Sequence, residues 1–242
     1  MSKVIIWSLA TRALHLAFAG GLSVALLVGF LVDDDSPLFQ FHMLAGLLAG
    51  GALVVRLALG FLGGRHTRFA DWTFGPVAVL RYLRSLLPGA EPQEYAGHNP
   101  AASWVMAALF ATAGALVWTG LNGGEDLHEG LAWALVALIA THLAGLAAHT
   151  VLKQENVALA MLHGKKRAAA EAGLASHGWI GGLTVIALLG VWSTLLWTGY
   201  DSAGARLTLP GLLAPISLGE NEGHSSATDA RGDAHEQREH HD

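Results

Sequence analysis

The stretch that decides the fold is LHEGLAWALVALIATHLAGLAAHTVL, residues 127–152, which holds a single charged residue, Glu129. About 20 helical residues cross the hydrocarbon layer of a bilayer, so this stretch is long enough to span a membrane. It also contains histidines at positions 128, 142 and 149. Ionisable residues inside a span are costly and by default mark a functional site. The sequence therefore predicts a membrane helix that carries such a site.

Four more stretches have similar length and composition, at residues 7–32, 41–63, 101–121 and 177–200. The chain is 52% hydrophobic and only 14% charged, whereas ordinary soluble domains carry about 25% charged residues. We therefore predict an all-α integral membrane protein with five transmembrane helices, embedded in a lipid bilayer and binding no nucleic acid. We expect the first helix to be retained and not cleaved as a signal peptide, because Arg12 and His15 interrupt its apolar run.

The distribution of lysine and arginine predicts the orientation. Basic residues mark the N-terminal segment and the loops after the second and fourth spans: Lys3, Arg12, Arg65, Arg68, Arg81, Arg84, Lys153, Lys165, Lys166 and Arg167. The other two loops carry Asp33, Asp34, Asp35, Glu125 and Asp126, with no lysine or arginine. The positive-inside rule then places the N-terminus in the cytoplasm and the C-terminus in the periplasm of a bacterial inner membrane. Residues 75–87 have the apolar spacing of a short amphipathic helix at the inner surface, a solvated loop being the alternative.

Composition divides the chain into three parts. Residues 1–167 contain four spans, residues 168–200 the fifth, and residues 201–242 a polar periplasmic tail that we predict to be disordered. The tail histidines, His235, His240 and His241, could bind a transition metal, although a solubilising tail is the commoner meaning of such a composition. The chain has no cysteine. This excludes thiolate-bound iron–sulfur clusters and covalent haem attachment through C-x-x-C-H.

Four histidines form two pairs of matched depth in the predicted bundle. At about 1.5 Å per residue, His15 and His142 both lie roughly 24–27 Å from the outer acidic loops, whereas His42 and His128 lie close to them. We call the first two the inner pair and the second two the outer pair. The fourteen residues from His128 to His142 return both imidazoles to nearly one helix face, about 21 Å apart. Facing imidazoles from different helices suit an iron porphyrin within a bundle, whereas a hydrogen-bonded interior residue is the alternative for each histidine.

One further histidine and two arginines bear on the inner pair. His149 lies seven residues beyond His142 on nearly the same face, but its depth of about 34 Å puts it at the inner interface, so we prefer His142. Arg12 and Arg56 are the cations within predicted spans. Arg56 stands fourteen residues after His42 and hence near the inner pair, where it could neutralise haem propionates. Snorkelling to the interface is the alternative.

The motifs along the chain resemble a known family. They are WSLATRALH at 7–15, HMLAG at 42–46 followed by Arg56, GHNPA at 97–101, His128-Glu129, QENV at 154–157 and MLHGKKR at 161–167. Over residues 7–167 they resemble the bacterial cytochrome b561 and nickel–iron hydrogenase b-type cytochrome group. The resemblance implies a four-helix core with two non-covalent haems b. The inner haem would be ligated by His15 and His142 and the outer haem by His42 and His128, with Arg12 and Arg56 as further cofactor-binding residues.

The resemblance also implies a function. Members of the group transfer electrons between a quinone pool and a partner redox protein, such as a hydrogenase or a c-type cytochrome, in a respiratory chain. Iron with two histidine ligands has no open position and so favours outer-sphere electron transfer. A second hypothesis is a superoxide- or quinone-reacting oxidoreductase of the same fold, although the outer loops offer few cations for it. A third is a haem-free membrane transporter whose histidines carry protons or metal.

Overall fold

A computed structural model of the chain describes residues 2–91 and 93–218, and this part is mostly helical. Its helices are α1 (Leu9–Leu31), α2 (Gln40–Leu62), α3 (Pro76–Arg84), α4 (Pro100–Asn122), α5 (Glu125–Lys153), α6 (Val157–His163) and α7 (Trp179–Gly199), with 3-10 turns at Pro37–Phe39, Phe69–Asp71 and Ala170–Ala172. Five of these described helices, α1, α2, α4, α5 and α7, are long and apolar enough to cross a membrane. The predicted all-α membrane fold with five spans is confirmed.

The turn between α4 and α5 is formed by two glycines. Gly123 and Gly124 have φ angles of 81° and 113°, a region that glycine enters without the steric cost of a side chain. Because the turn is so short, α5 runs back directly along α4. This places the last turn of α4, which carries Thr119, beside the first turn of α5, which carries His128.

The four helices α1, α2, α4 and α5 share one apolar core, to which Leu22, Leu53, Leu116 and Leu135 contribute. Helices α1 and α2 approach each other closely at Gly21, which has no side chain. A Cβ at this position would lie only 3.0 Å from the carbonyl oxygen of Ala45. Helix α7 packs outside this group, against α1 and α2. The indole of Trp192 fills the space that a side chain at Gly51 would occupy, and its Nε1 donates to the carbonyl oxygen of Leu47 at 3.0 Å.

The side of the bundle that carries the N-terminus, here called the N-terminal side, is closed by a small ribbon. Strand β1 (Ser2–Ile5) pairs antiparallel with β2 (Lys165–Ala168), with Lys3 opposite Arg167. Ile6 and Trp7 anchor the ribbon in a cluster with residues of α6 and β2. The amphipathic helix predicted for residues 75–87 is present as α3 and buries Tyr82.

The opposite, distal side carries a second sheet, with strands β3 (Tyr200–Asp201), β4 (Arg206–Leu207) and β5 (Ile216–Ser217) in the order β3-β4-β5. Leu207 and Leu218 are 0% and 1% exposed and pack with Leu47 and Leu196. The prediction of a disordered tail is therefore wrong for residues 201–218. Apolar residues at alternate positions, 207 and 209 and again 216 and 218, support strands too short to stand out in the sequence. Residues 219–242, with the tail histidines, lie outside the described residues.

Candidate functional site

The outer pair comes together between α2 and α5. The ring centres of His42 and His128 are 5.8 Å apart, with an angle of 69° between the ring planes. His42 Nδ1 lies 2.8 Å from the carbonyl oxygen of Ala25. His128 Nδ1 lies 2.8 Å from Thr119 Oγ1. Each ring is therefore held by a neighbouring helix through its Nδ1 atom.

The hydrogen-bond partners determine which ring nitrogen carries the proton. A carbonyl oxygen only accepts, so His42 Nδ1 is protonated and donates to Ala25. The Thr119 hydroxyl donates to carbonyl oxygens one turn earlier in α4, at 3.0 and 3.1 Å, so its oxygen accepts from His128 Nδ1. Both imidazoles are then left with an unprotonated Nε2. This is the form in which histidine binds a metal ion, with the other ring nitrogen fixed by a hydrogen bond.

An apolar cavity, partly open to its surroundings, adjoins the outer pair and is lined by residues of α1, α2, α4 and α5. Two glycines, which have no side chain, leave room for the imidazoles. A Cβ on Gly29 would lie 2.9 Å from His42 Nδ1, and one on Gly120 would lie 3.4 Å from His128 Cε1. Apart from the two histidines, the lining consists of apolar side chains and glycine, such as Leu22 and Leu135. The cavity therefore offers hydrocarbon walls and two nitrogen ligands.

These features fit a flat, apolar ring with a metal at its centre. A metal–imidazole bond is about 2 Å long, so two imidazoles that share one metal ion have ring centres about 6 Å apart, close to the spacing of the outer pair. Within the described ranges, no group of three or more His, Cys, Asp or Glu residues could hold a bare metal ion. Two imidazoles at the spacing of the outer pair fit a haem, in which the porphyrin supplies the remaining ligands.

The members of the inner pair lie on α1 and α5. His15 and His142 are close enough to interact electrostatically. Neither ring hydrogen-bonds to any other residue in the described part of the chain, so both nitrogens of each ring are available to a ligand. His149, the rival of His142, interacts instead with the loop charges Lys166 and Glu155. His15 and His142 therefore lie in one electrostatic environment, whereas His149 lies among the charged residues of the N-terminal side.

Arg56 is a buried cation without a counter-ion. It is 6% exposed, and its Nη1 has no hydrogen-bond partner. The only ion pair within residues 2–91 and 93–218 joins Arg68 and Asp71. The guanidinium carbon lies 5.4–5.7 Å from three aromatic ring centres, those of Phe69, Trp72 and Phe110. Because an unpaired buried charge is costly, the site is suited to an anionic group.

Arg12, the other arginine predicted to bind the cofactor, lies at the N-terminal side. Its Nη1 donates to the carbonyl oxygen of Leu162 at the end of α6. Its Nε is buried and has no partner. The Nε–H of Arg12 therefore remains free for a ligand, whereas Nη1 fixes α6 against α1.

Sequence reasoning missed His98, which precedes α4. Its ring lies 4.8 Å from that of Trp7 and 5.1 Å from that of Trp72, centre to centre. Burial, followed by the positive charges of Arg56 and Lys166, lowers the pKa of His98 from 6.5 to about 3, and His142 also contributes. His98 is therefore a neutral imidazole near both Arg56 and the inner pair. The sequence feature that could have indicated His98 is the GHNP motif at 97–100. Depth counting could not place His98, because it lies in a loop and not on a membrane helix.

Comparison with known proteins identifies a family for most of the chain. A family model described as prokaryotic cytochrome b561 matches residues 6–164. The match extends from the start of α1 to the end of α6 and includes both histidine pairs. No curated protein matches the chain. No solved structure matches it either.

Proposed function

Because the chain belongs to the prokaryotic cytochrome b561 family, we propose that it is a di-haem cytochrome that carries electrons between a quinone pool and a partner redox protein. Family membership makes it a b-type cytochrome of electron transfer, and its five apolar helices make it a multi-pass membrane protein. The number of haems, their ligands, the redox partners and the orientation are our proposal. The observation that carries it is the outer pair, with ring centres 5.8 Å apart and both Nδ1 atoms hydrogen-bonded.

His42 and His128 would hold the outer haem, and His15 and His142 the inner one. A bound haem supplies a one-electron iron couple, and two histidine ligands leave no open position for bond-making chemistry. The protein contributes the environment of that couple. The Nδ1 hydrogen bonds fix the outer rings and raise their basicity as ligands, while the apolar lining excludes water.

Arg56 would pair with propionate carboxylates of the inner haem. Its buried, unpartnered Nη1 supports this role, as does its electrostatic interaction with His98, which also interacts with His142. Arg12, with its free Nε, is the second candidate. A charge-assisted bond to a carboxylate is stronger than a neutral hydrogen bond and would satisfy either guanidinium.

The proposed location is the bacterial cytoplasmic membrane, with the N-terminus in the cytoplasm and the C-terminus in the periplasm. The basic residues of the N-terminal side support this orientation. The outer haem would then lie near the periplasmic surface, within reach of a hydrogenase or a c-type cytochrome, and quinone would come from the bilayer. The distal turns carry Asp33, Asp34, Asp35, Glu125 and Asp126. These carboxylates repel superoxide, so we favour electron transfer to a protein partner over reaction with superoxide. Family membership argues against the third hypothesis, a haem-free transporter.

The test is the haem content of the purified protein and of single-histidine variants. Pyridine haemochrome analysis against protein mass should give two haems b per chain, neither covalently attached. His42→Ala and His128→Ala should lose the same haem, identified by its midpoint potential, and His15→Ala should lose the other. One haem per chain, or different losses within the outer pair, would contradict the ligand scheme.

The orientation has a separate test. A reporter fused after Asp242 should be active outside the cytoplasm, and one inserted at Lys165 should behave as cytoplasmic. The reverse pattern would exchange the two surfaces and with them the positions of the two haems.

A further inference from the structure

The β1–β2 ribbon places like charges opposite each other. Its register pairs Lys3 with Arg167 and Ile5 with Lys165. Cross-strand partners share one face, as do residues two apart on a strand, so Lys3, Lys165 and Arg167 project from a single face. All three are exposed. Like charges directly opposite in a sheet are destabilising, so this face keeps an arrangement that costs stability unless an anion lies against it.

Hydrogen bonds show that Lys3 and Arg167 form the closer type of cross-strand pair. The N–H of Arg167 donates out of the ribbon, to Glu155 Oε1 at 2.6 Å. Two residues along β1, the carbonyl oxygen of Ile5 also points outward and accepts from the N–H of Leu174 at 2.7 Å. Outward-pointing groups mark non-hydrogen-bonded pairs, whose Cα atoms are about 4.5 Å apart and whose side chains are nearest. The register therefore maximises the repulsion between the two cations.

The protein itself does not neutralise this face. In the part of the chain that the structure describes, none of the three cations forms an ion pair with a carboxylate. Glu155 is held by the main chain of Arg167 and interacts with Lys166. Lys166 occupies the other face of β2, where its Nζ donates to the carbonyl oxygens of residues 95 and 96.

The ribbon is fixed beside the bilayer. Helix α1, a membrane span, begins at Leu9, four residues after β1 ends. The N–H groups of Ile6 and Trp7 both donate to the carbonyl oxygen of Gly164, at 2.9 and 3.1 Å, which prevents the ribbon from swinging away. Four extended residues cover at most about 13 Å, so the ribbon lies at or next to the head groups. Nearby on α6, Leu162 is 61% exposed, as suits a segment at that interface.

We propose that the cationic ribbon face, Lys3, Lys165 and Arg167, binds the phosphate of an anionic phospholipid head group such as phosphatidylglycerol. Clustered cations beside a transmembrane helix attract anionic lipids, and phosphate oxygens accept charge-assisted hydrogen bonds from lysine and arginine. A phosphate among the opposed cations removes their repulsion, so lipid binding stabilises the ribbon. The proposal is independent of the redox partners and of the orientation, because the face adjoins the bilayer in either case.

The test measures the melting temperature of the full-length protein in neutral detergent micelles. Added phosphatidylglycerol should raise it, whereas phosphatidylcholine, or inorganic phosphate at the same concentration, should not. Lys3→Gln removes one of the opposed charges. It should raise the melting temperature in the absence of lipid and weaken the apparent affinity for phosphatidylglycerol about fivefold. Arg81→Gln, which removes an exposed cation from α3 on the same side of the bundle, should change neither quantity.

Native mass spectrometry gives a second readout, the number of phosphatidylglycerol molecules retained, which should fall in Lys3→Gln and in Arg167→Gln. The proposal is overturned if Lys3→Gln lowers the lipid-free melting temperature, because the opposed charges would then not repel. It is also overturned if the variants respond to phosphatidylglycerol as the wild type does, or if inorganic phosphate is equally effective. Loss of a co-purifying acidic protein, without any lipid response, would assign the face to a protein partner instead.

Discussion

With the ligand scheme proposed above, replacing Gly29 with alanine should loosen the outer haem and leave the inner haem unchanged. The new methyl group would lie 2.9 Å from His42 Nδ1 and 3.0 Å from Cε1. Carbon contacts are optimal at about 3.5–4.0 Å, so the imidazole would have to move by roughly half an ångström. That movement strains or breaks the 2.8 Å hydrogen bond to the carbonyl oxygen of Ala25, which is the bond that fixes the ring.

The size of the effect follows from that hydrogen bond. A typical intramolecular hydrogen bond contributes about 1 kcal/mol net, which corresponds to about a fivefold weaker affinity for the outer haem. Loss of a partner that orients a metal ligand typically weakens affinity by about 10- to 100-fold, so fivefold is the lower bound. The inner pair should be unaffected because neither of its histidines contacts Gly29.

The assay is haem retention during dilution, followed by reduced-minus-oxidised spectra and a redox titration of each centre. Gly20→Ala is the matched control on the same helix, because a Cβ there meets no atom within 4 Å. The reasoning is refuted if Gly29→Ala keeps the outer haem with wild-type affinity and potential. It is equally refuted if Gly20→Ala loses the haem to the same extent.

Three further predictions concern the inner pair and its surroundings. His142→Ala should remove the inner haem or make it high-spin, whereas His149→Ala should keep both low-spin centres; optical spectra showing the opposite pattern would reverse the assignment. Arg56→Gln should lower the midpoint potential of the inner haem, because a nearby positive charge favours the reduced state, and a redox titration with no shift would exclude Arg56 from that environment. The pKa of His98 is about 3 in the folded protein and 6.5 in the unfolded chain. Below pH 6.5 the unfolded chain therefore binds more protons than the folded protein, and stability falls as the pH drops from 6.5 towards 3. His98→Gln should flatten that slope in thermal melts, and an unchanged slope would contradict the pKa.

The membrane helices and the approach of His42 to His128 were predictable because both depend on distance along single helices. An apolar run at 127–152 must span the bilayer, and its observed helix, Glu125–Lys153, differs by only one or two residues at each end. Depth counting pairs His42 with His128 because helices that cross one bilayer share its two surfaces. No contact between helices is needed for that step.

What the sequence could not predict depends on contacts between elements. The acceptor of His42 is a main-chain carbonyl on α1, which has no sequence signature. His98 lies in a loop and reaches its site only because the aromatic rings of Trp7 and Trp72 surround it. The distal sheet forms from two-residue strands, and Leu207 is buried there only because α2 and α7 provide the surface beneath it.

Gly51 and Trp192, on the second and fifth membrane helices, constrain each other's evolution. The Trp192 indole occupies the space of a side chain at Gly51 and bonds to the carbonyl oxygen of Leu47, so neither position can change size alone. The family match ends at residue 164, ahead of α7. We therefore expect the two positions to co-vary: relatives with tryptophan at 192 should keep glycine at 51, and relatives without a fifth helix should be free to place a larger residue there.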